Sequence, residues 1–453
     1  MATRHRLLAS VPALLLLSGV SQASVVGVFH NNYGMSGTGS VFVFGAEGTE
    51  GTFTQGASVS SFTIDSTGVY TFSLGGGLQM DASGTVNTLS FRIESDDPIS
   101  AIALNRETYT TDQANLLDIE ALGKDYRILT YTGLSTYGGQ MSVTAVEDDT
   151  EVTIVSPVAL GGNPAGTPFT VTLNKGESIY YEGSPSTDIS GTHVSSSKNV
   201  AVFAGVECAN VPTGAVACDH LISQQYSTDN YDTEFLVSNS YGNGALGDLV
   251  RVIGATDGTE VFLNGVSVGT IDAGQVLEFD AGAGGVVTAT DPVTMAQFMR
   301  GQSQRQAGIG DPAYEIIPSI DQLLAAYAFT TPVGGEAFSL NYLSLAIAAD
   351  DADSLMLNGA LVDTSMFTSI SGWLFGTVAI GLGYGTIEAD NPFLATISGY
   401  SDYDSYFSTI ATAFSPGVSP PPDPETPAVP LPAGALLLAP ALGLLAALRR
   451  RRS

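Results

Sequence analysis

Basic residues are scarce in this sequence. Its 453 residues hold 15 Lys and Arg against 45 Asp and Glu, a formal charge of −30. Six of the fifteen lie at the ends, at Arg4, Arg6, Arg449, Arg450, Arg451 and Arg452, which leaves nine for the body between them. So acidic a surface repels phosphate backbones and anionic lipids and excludes nucleic acid as a partner. Cysteine is scarce as well. Cys208 and Cys218 are the only two, and they enclose a nine-residue loop with Pro212 and Gly214 that suits a disulfide staple. With both sulfurs joined, neither a cysteine nucleophile nor a thiolate zinc site remains. Of the four histidines the body holds His30, His193 and His220, and no H-E-x-x-H motif occurs, which excludes a zincin-type metal helix. The one tryptophan, Trp373, reads as core. Sustained helical periodicity is also missing between the two ends, which argues against a helical bundle.

Glycine is plentiful, at 52 residues, and with Thr, Ser, Val, Tyr and Phe it favours an all-β protein with tight turns. A motif recurs within it. FRIESDDPISAIALNR ends at Arg106, THVSSSKNVAVFAGVE at Glu207, VVTATDPVTMAQFMRG at Gly301 and GTIEADNPFLATISGY at Tyr400. Each reads as a short strand, a polar turn and an apolar strand. Aligned on Pro98, Asn199, Pro292 and Pro392, the copies are 101, 93 and 100 residues apart. A second box, an acidic turn followed by an alternating strand, begins at Gly45, Ala145, Gly254 and Ala348, upstream of the anchor in each copy. Two boxes in one order indicate four copies of one unit. The expected fold is all-β, with four tandem antiparallel β-sandwich-like repeats over 24–110, 111–208, 209–301 (including the disulfide loop) and 302–415. A propeller-like ring of the same units is the alternative. Asp112 to Leu122 and Ile317 to Phe329 have near-helical apolar spacing and are expected as short connecting helices.

The run SSSKNVAVFAGVECANVP…CDHLISQQ, with LGKDYRILTY and MSVTAVEDDTEVTI upstream and GDPAYEIIPSIDQL downstream, resembles the IgGFc-binding protein N-terminal domain family. The resemblance is tightest from Leu122 to Gln225 and continues loosely toward Tyr400. The chain has Asn199 where that family has proline, and Gln224-Gln225-Tyr226 where it has Gln-Leu-Pro-Pro.

Both ends read as targeting segments. Residues 1–23 combine Arg4, His5 and Arg6, an apolar run from Leu7 to Leu17, and Ser21-Gln22-Ala23; cleavage between Ala23 and Ser24 is expected. Export to an oxidising compartment suits the Cys208–Cys218 bond. Residues 416–432 form a proline-rich, stiff spacer, and 433–453 a short apolar stretch ending in arginines. VPLPAGALLLAPALGLLAALRRRR, with Val429, Pro430, Leu431, Pro432 and Ala433 at its head, resembles the VPLPA-CTERM variety of PEP-CTERM sorting signals. That resemblance implies transient membrane insertion, an exosortase-type protease as partner, and the surface or extracellular matrix of a Gram-negative bacterium as destination.

Three groups of residues are candidates for chemistry. Asp219-His220, with His193 and Asp188 nearby in sequence, would serve as general base or metal ligand; the alternative is a loop histidine hydrogen-bonded beside the staple. The acidic turns Glu147-Asp148-Asp149, Asp350-Asp351 with Asp353, and Asp96-Asp97 would offer oxygens to calcium, against a plain role as solvated turns. Tyr400, Tyr403 and Tyr406 lie among acids and would contact sugar or protein, or else pack on the last unit's edge. No residue is assigned to catalysis or to a cofactor, and calcium is the one ion considered. The expected function is that of an exported, surface-sorted, non-enzymatic protein that binds or scaffolds extracellular polysaccharide or a surface protein. The alternative is a secreted hydrolase with carboxylates from different repeats, which would show two of them about 5–10 Å apart in a cleft, one with a raised pKa.

The tail reading has a direct test. Mass spectrometry of the surface fraction is expected to find a chain ending near Val429 to Pro432, while an intact Leu431–Leu448 peptide as the dominant species contradicts it. Replacing Arg449 to Arg452 with serine is expected to leave precursor unsorted, because the cytoplasmic hold is lost.

Overall fold

In three of the four units the long apolar run of the repeat belongs to one strand whose two halves pair with different neighbours. The computed structural model describes residues 23–32, 38–333 and 337–413, and within them the chain is almost wholly β. In the second, third and fourth units the repeated motif is a continuous strand, His193–Ala209, Gly285–Phe298 and Tyr384–Ser401. The expected turn inside it is instead a bulge, where the pairing slips opposite Gly123 to Asp125, Asp232 to Glu234 and Leu324 to Ala326. A proline, with no N–H to donate, is tolerated at such a slip. In the first unit the motif does break, into Phe91–Ser95 and Ser100–Glu107.

The second unit shows the plan. Gly123–Arg127 and Thr150–Val155, its first and third strands, pair with the front half of the long sixth strand. Gly139–Ala145 and Asp219–Gln224, its second and seventh, pair with the rear half. The fourth strand, Phe169–Leu173, extends the third, and the fifth, Ser178–Glu182, extends the second. The other three units repeat this pairing. Four residues before Pro98, Asn199, Pro292 and Pro392, the long strand faces Ser24, Asp125, Glu234 and Ala326 of the first strands. Six residues after the same anchors, Leu104, Gly205, Phe298 and Ser398 face Gln113, Ile222, Tyr314 and Phe407 of the seventh strands. The sequence spacing is thus the pairing register. The first three seventh strands, Thr110–Leu116, Asp219–Gln224 and Tyr314–Ile317, run past the expected unit edges at 110, 208 and 301, while the fourth, Asp404–Thr409, lies inside the expected fourth unit.

The two expected connecting helices are not helices. Asp112 lies in the strand Thr110–Leu116, and only Ile119–Ala121 turns, as a 3-10 turn capped by Asp118, whose carboxylate accepts from Glu120 N. Likewise Tyr314–Ile317 and Leu324–Thr330 are strands flanking the 3-10 turn Ile320–Gln322, where Gln322 Oε1 accepts from Ser319 N at 2.9 Å. Strand alternation followed by one tight turn imitates a helical spacing over this length, and tertiary pairing decides the outcome.

The four units close on one another. The first unit's seventh strand lies against those of the second and fourth, and the third unit's seventh strand touches the same two. Phe42, Phe44, Ile102 and Leu104 of the first unit share a core with Tyr327, Phe338 and Tyr406 of the fourth. Sandwich-like units and a ring are therefore both present. The rear half of the long strand, Val200 to Ala209, is buried throughout, against its own unit on one face and the axis on the other.

At the axis sits Asp112. Its Oδ1 accepts from Gln113 N at 2.9 Å and Phe407 N at 3.4 Å, and its Oδ2 from Ile222 N and Tyr314 N, both at 3.1 Å. These are the four amides at the same position of the four units. Burial pushes the Asp112 pKa upward, and the four N–H bonds pull it down. All four neighbours donate to its two oxygens, and their pull offsets part of the upward push, which still leaves the group well above the usual carboxylate range. Nearby Glu315 is likewise raised, by burial and then by Asp112.

Asp112→Ala would strand four buried N–H groups. At roughly 1–3 kcal/mol for each unsatisfied group, the expected loss is at least about 4 kcal/mol, at the extreme for one substitution. Asp112→Asn, which keeps one acceptor oxygen, is expected to lose about half as much. Denaturant midpoints check both.

Candidate functional site

The candidates for acid–base chemistry are assembled, but beneath the surface. Asp219 and His220 start the second unit's seventh strand, and both are fully buried. Asp219 Oδ1 accepts from Thr111 N and His220 N, each at 2.8 Å. His220 Nε2 accepts from Asn105 Nδ2 at 3.0 Å, and buried His30 faces Ser142 Oγ at 2.8 Å. Burial holds both imidazoles down to about 3, helped at His30 by His220, so they are neutral and serve as fixed hydrogen-bonding groups. His193 and Asp188 lie elsewhere. His193 Nε2 is 2.6 Å from Asp125 Oδ2, and Asp188 takes Arg251 Nη2 at 2.8 Å. Cys208 and Cys218 are bonded, with Cα atoms 5.3 Å apart, close to the strand that carries His220.

Around Asp219 the seventh-strand regions of three units bring carboxyls together. Burial, then Asp404 and Asp311, pushes Asp219 well up. Burial raises Asp311 to about 7 and Asp404 to about 6. Glu207, which accepts from Asn31 Nδ2 at 2.9 Å, is raised to about 7 by burial and then by Glu182. Asp404 also lies 3.9 Å from Arg106 Nη2.

The acidic turns are separate from this cluster. Asp148 accepts from Lys175 N at 3.0 Å, and Asp351 from Asn391 Nδ2 at 2.8 Å. Among the described residues no three His, Cys, Asp or Glu side chains form a group able to hold a metal ion. Tyr400 and Tyr406 are buried, donating to Ser398 Oγ and Asn341 Oδ1 at 2.8 Å, so they pack rather than face a ligand; Tyr403 is exposed. Trp373 is half-buried on Trp373–Ala379, the fourth unit's fifth strand. Gly265-Val266-Ser267-Val268-Gly269 spells G-x-S-x-G. It enters the strand Val266–Ile271 of an antiparallel hairpin, not the strand-to-helix elbow that exposes a nucleophile. Ala23 and Ser24 begin the first strand, where Ser24 N donates to Asp118 Oδ2 at 3.0 Å. Val429 to Ala433 and Arg449 to Arg452 lie outside the described residues.

An open site exists between the third and fourth units, a cleft of about 1050 Å³. One wall is the loop from Ser238 to Ala245, and the other carries Leu361, Met366, Phe367 and the strand Phe375 to Ala379. Buried Asp248 fixes the loop, accepting from Ser240 N at 2.6 Å, Ser240 Oγ at 2.8 Å, Gln297 Nε2 at 2.7 Å and Asn243 Nδ2. Arg305 donates to Tyr241 O and lies 4.8 Å over the Tyr400 ring. Tyr241 stacks on Tyr342 with centroids 3.8 Å apart. Met366 and Leu361 are 89% and 65% exposed. Asp363 is the one charged side chain of the lining, and its bonds to Ser365 lower its pKa. Sequence reading missed this site because its walls belong to different units and its supports, Asp248 and Arg305, read as ordinary loop residues.

The profile of the IgGFc binding protein family matches residues 112–399. The IgGFc-binding protein of Homo sapiens is 28% identical over 256 residues, 55% of this chain and 5% of its own length. This chain therefore matches only a small part of that relative. Among solved structures, one titled "Ca2+-stabilized adhesin helps an Antarctic bacterium reach out and bind ice" covers 87% of this chain and 99% of its own at 14% identity, with a TM-score of 0.13. An anti-sigma factor domain-containing protein from Clostridium clariflavum covers 82% of this chain and 99% of its own at 8% identity, also with a TM-score of 0.13. Neither score bears on fold or function.

The raised carboxyls set the pH dependence. Asp311, Asp404 and Glu207 bind protons in the folded state at pH values where the unfolded chain has lost them, so their contribution is full below about pH 4 and is lost as pH rises toward about 7. Below about pH 6.5 the buried, neutral His30 and His220 act in the opposite sense, so the thermal midpoint is expected to fall between about pH 6.5 and 8, and Asp311→Asn to flatten that fall. A midpoint that rises over the same range contradicts the account.

Proposed function

The chain belongs to the IgGFc binding protein family, and from that premise we propose that it is an exported, non-enzymatic binding protein of the cell surface. In this reading a secretory leader is removed before Ser24 and the C-terminal segment is handled as a VPLPA-CTERM signal by an exosortase-type protease of a Gram-negative bacterium. The mature chain then binds or scaffolds extracellular polysaccharide or a surface protein. One observation carries the binding role: the open cleft between the third and fourth units is almost uncharged and built on a fixed loop, while His30, His220, Asp219, Asp311 and Asp404 are buried. Two further observations support export. The Cys208–Cys218 bond suits an oxidising compartment. Cleavage before Ser24 would also place a new ammonium 3.0 Å from the Asp118 carboxylate, an arrangement that favours the mature end.

The hydrolase alternative calls for a raised carboxyl in an open cleft. Here Asp219, Asp311 and Asp404 are buried; Glu182 is raised while only half-buried, at a separate and smaller pocket; and the carboxyl in the cleft between the third and fourth units, Asp363, is lowered, which favours binding there. The test is an array of glycans, exopolysaccharides and surface proteins, with IgG Fc included because the human relative is named for it. It is probed with mature protein in calcium and in chelator, the acidic turns making calcium the ion to vary. Saturable binding without turnover is expected; hydrolysis of any arrayed polymer contradicts the reading.

A further inference from the structure

The cleft between the third and fourth units contains an open sheet edge, and the equivalent edge in the second unit is filled. The fourth unit's fifth strand, Trp373–Ala379, pairs along its full length with Leu340–Ala348. On its other side Thr368–Ile370 reaches only Trp373 to Phe375. The edge from Gly376 to Ala379 therefore has no strand beside it among the described residues, and it lines the cleft.

The internal repeat shows what such an edge receives. Thr144 and Ala346 hold the same place in their units, facing Ala201 and Leu394, two residues past Asn199 and Pro392. Their fifth-strand partners are Ser178 and Phe375, so Ser178 to Glu182 corresponds to Phe375 to Ala379. Along Ser178 to Glu182 runs a segment of the preceding unit. Val86–Asn87 pairs antiparallel with Ile179 and Ser178, Gly84 N donates to Tyr180 O at 2.8 Å, and Glu182 N donates to Ser83 Oγ at 3.1 Å. That segment comes from the long connection between the first unit's fifth strand, which ends at Leu74, and its sixth, which begins at Phe91. In the third unit the same connection is only Ala281 to Gly284, between Asp280 and Gly285. It lends Gly282 and Ala283 to the rim of the cleft, but it is too short to form a strand along the edge.

We propose that this cleft binds an extended peptide segment of a partner protein, added as a strand to the Gly376–Ala379 edge, with apolar side chains alternating and no acidic residues. Main-chain pairing supplies the affinity, and the apolar walls of Leu361, Met366 and Phe367 select alternate side chains. Charge complementarity sets the sign. The lining holds Asp363 and no cation, and the chain as a whole is at −30, so an uncharged or basic peptide is admitted and an acidic one repelled. Natural sheet edges are usually guarded by lysine, proline or an inward charge, and Gly376-Thr377-Val378-Ala379 has none of these. The proposal deepens the binding reading given above and rests on it.

The probe is a fluorescent, end-capped peptide alternating valine and threonine with a lysine at each end, titrated into the mature full chain and followed by anisotropy. Saturable binding is expected. Met366→Asp and Leu361→Asp change exposed side chains and leave the fold intact by circular dichroism; each is expected to weaken binding by about tenfold or more, the loss typical of a truncated interface anchor. The same peptide N-methylated at alternate residues, which cannot pair as a strand, is expected not to bind. Equal binding of the N-methylated peptide, or no saturable binding of either, overturns the proposal. Displacement of the probe by a cello-oligosaccharide, or self-association of the chain abolished by Met366→Asp, would assign the cleft to a glycan or to a second copy and also overturn it. If an array ligand binds Met366→Asp as well as it binds wild type while the peptide fails, the cleft assignment falls and the broader binding reading stands. Peptide binding with a blank array gives the reverse.

Discussion

One buried carboxyl group is shared by four strands from four units. Asp112 receives an N–H from each seventh strand at the same position of the repeat. Those strands are not laddered to one another, so their inward-facing amides need an acceptor, and a single side chain supplies it. The arrangement breaks the symmetry of the repeat, since only the first unit can carry the aspartate. A polar axis follows from it. Gln113 donates to Ser408 Oγ at 2.7 Å, Ile316 N to Ser223 Oγ at 3.1 Å, and Asp311 N to Ser405 Oγ at 2.8 Å. Burying so many polar groups is tolerable only when they answer one another, and such a network favours one arrangement over alternatives.

The ring explains where the open surface lies. Each unit repeats its strands, but the connections between strands differ in length. Where the connection is long, as between Leu74 and Phe91, the chain covers its neighbour's sheet edge. Where it is short, as at Ala281 to Gly284, the edge and a cleft remain. Rigid neighbours make that cleft a fixed shape. Arg305 ties the third unit's loop to Tyr400 of the fourth, and Tyr241 stacks on Tyr342 across the same boundary. Binding to a preformed site loses less ordering entropy than binding to a mobile one.

The repeat was legible because a strand buried on both faces leaves a continuous apolar run, and each copy is marked by a bulge, at Asn199, Pro292 or Pro392, or by a break, at Pro98. Spacing between those marks carried straight into the pairing register. What the marks meant was less legible. A proline between two apolar runs reads as a turn, yet at Pro292 and Pro392 the strand passes through it, because the slip absorbs the missing N–H. Asp112 read as a helix cap, since an aspartate before Leu116, Leu117 and Ile119 has the local signature of one; its partners lie 110, 202 and 295 residues away and leave no local trace. Asp219 and His220 were singled out correctly as unusual, but their burial, which makes them structural, depends on how four units close. The Cys208–Cys218 bond needed only a short loop and so was readable. The cleft was not, because it is defined by the length of one connection relative to another and by a contact between units.

The central claim is that the axial carboxyl group holds four units as one cooperative body. Native-state hydrogen exchange at the amides of Gln113, Ile222, Tyr314 and Phe407 tests it most directly. If one acceptor binds all four, none can open without loosening the rest, and the four amides should exchange with a common free energy equal to that of global unfolding. Exchange of Phe407 or Tyr314 at a clearly lower free energy, with the other two still protected, would mean that the units open singly and would contradict the account.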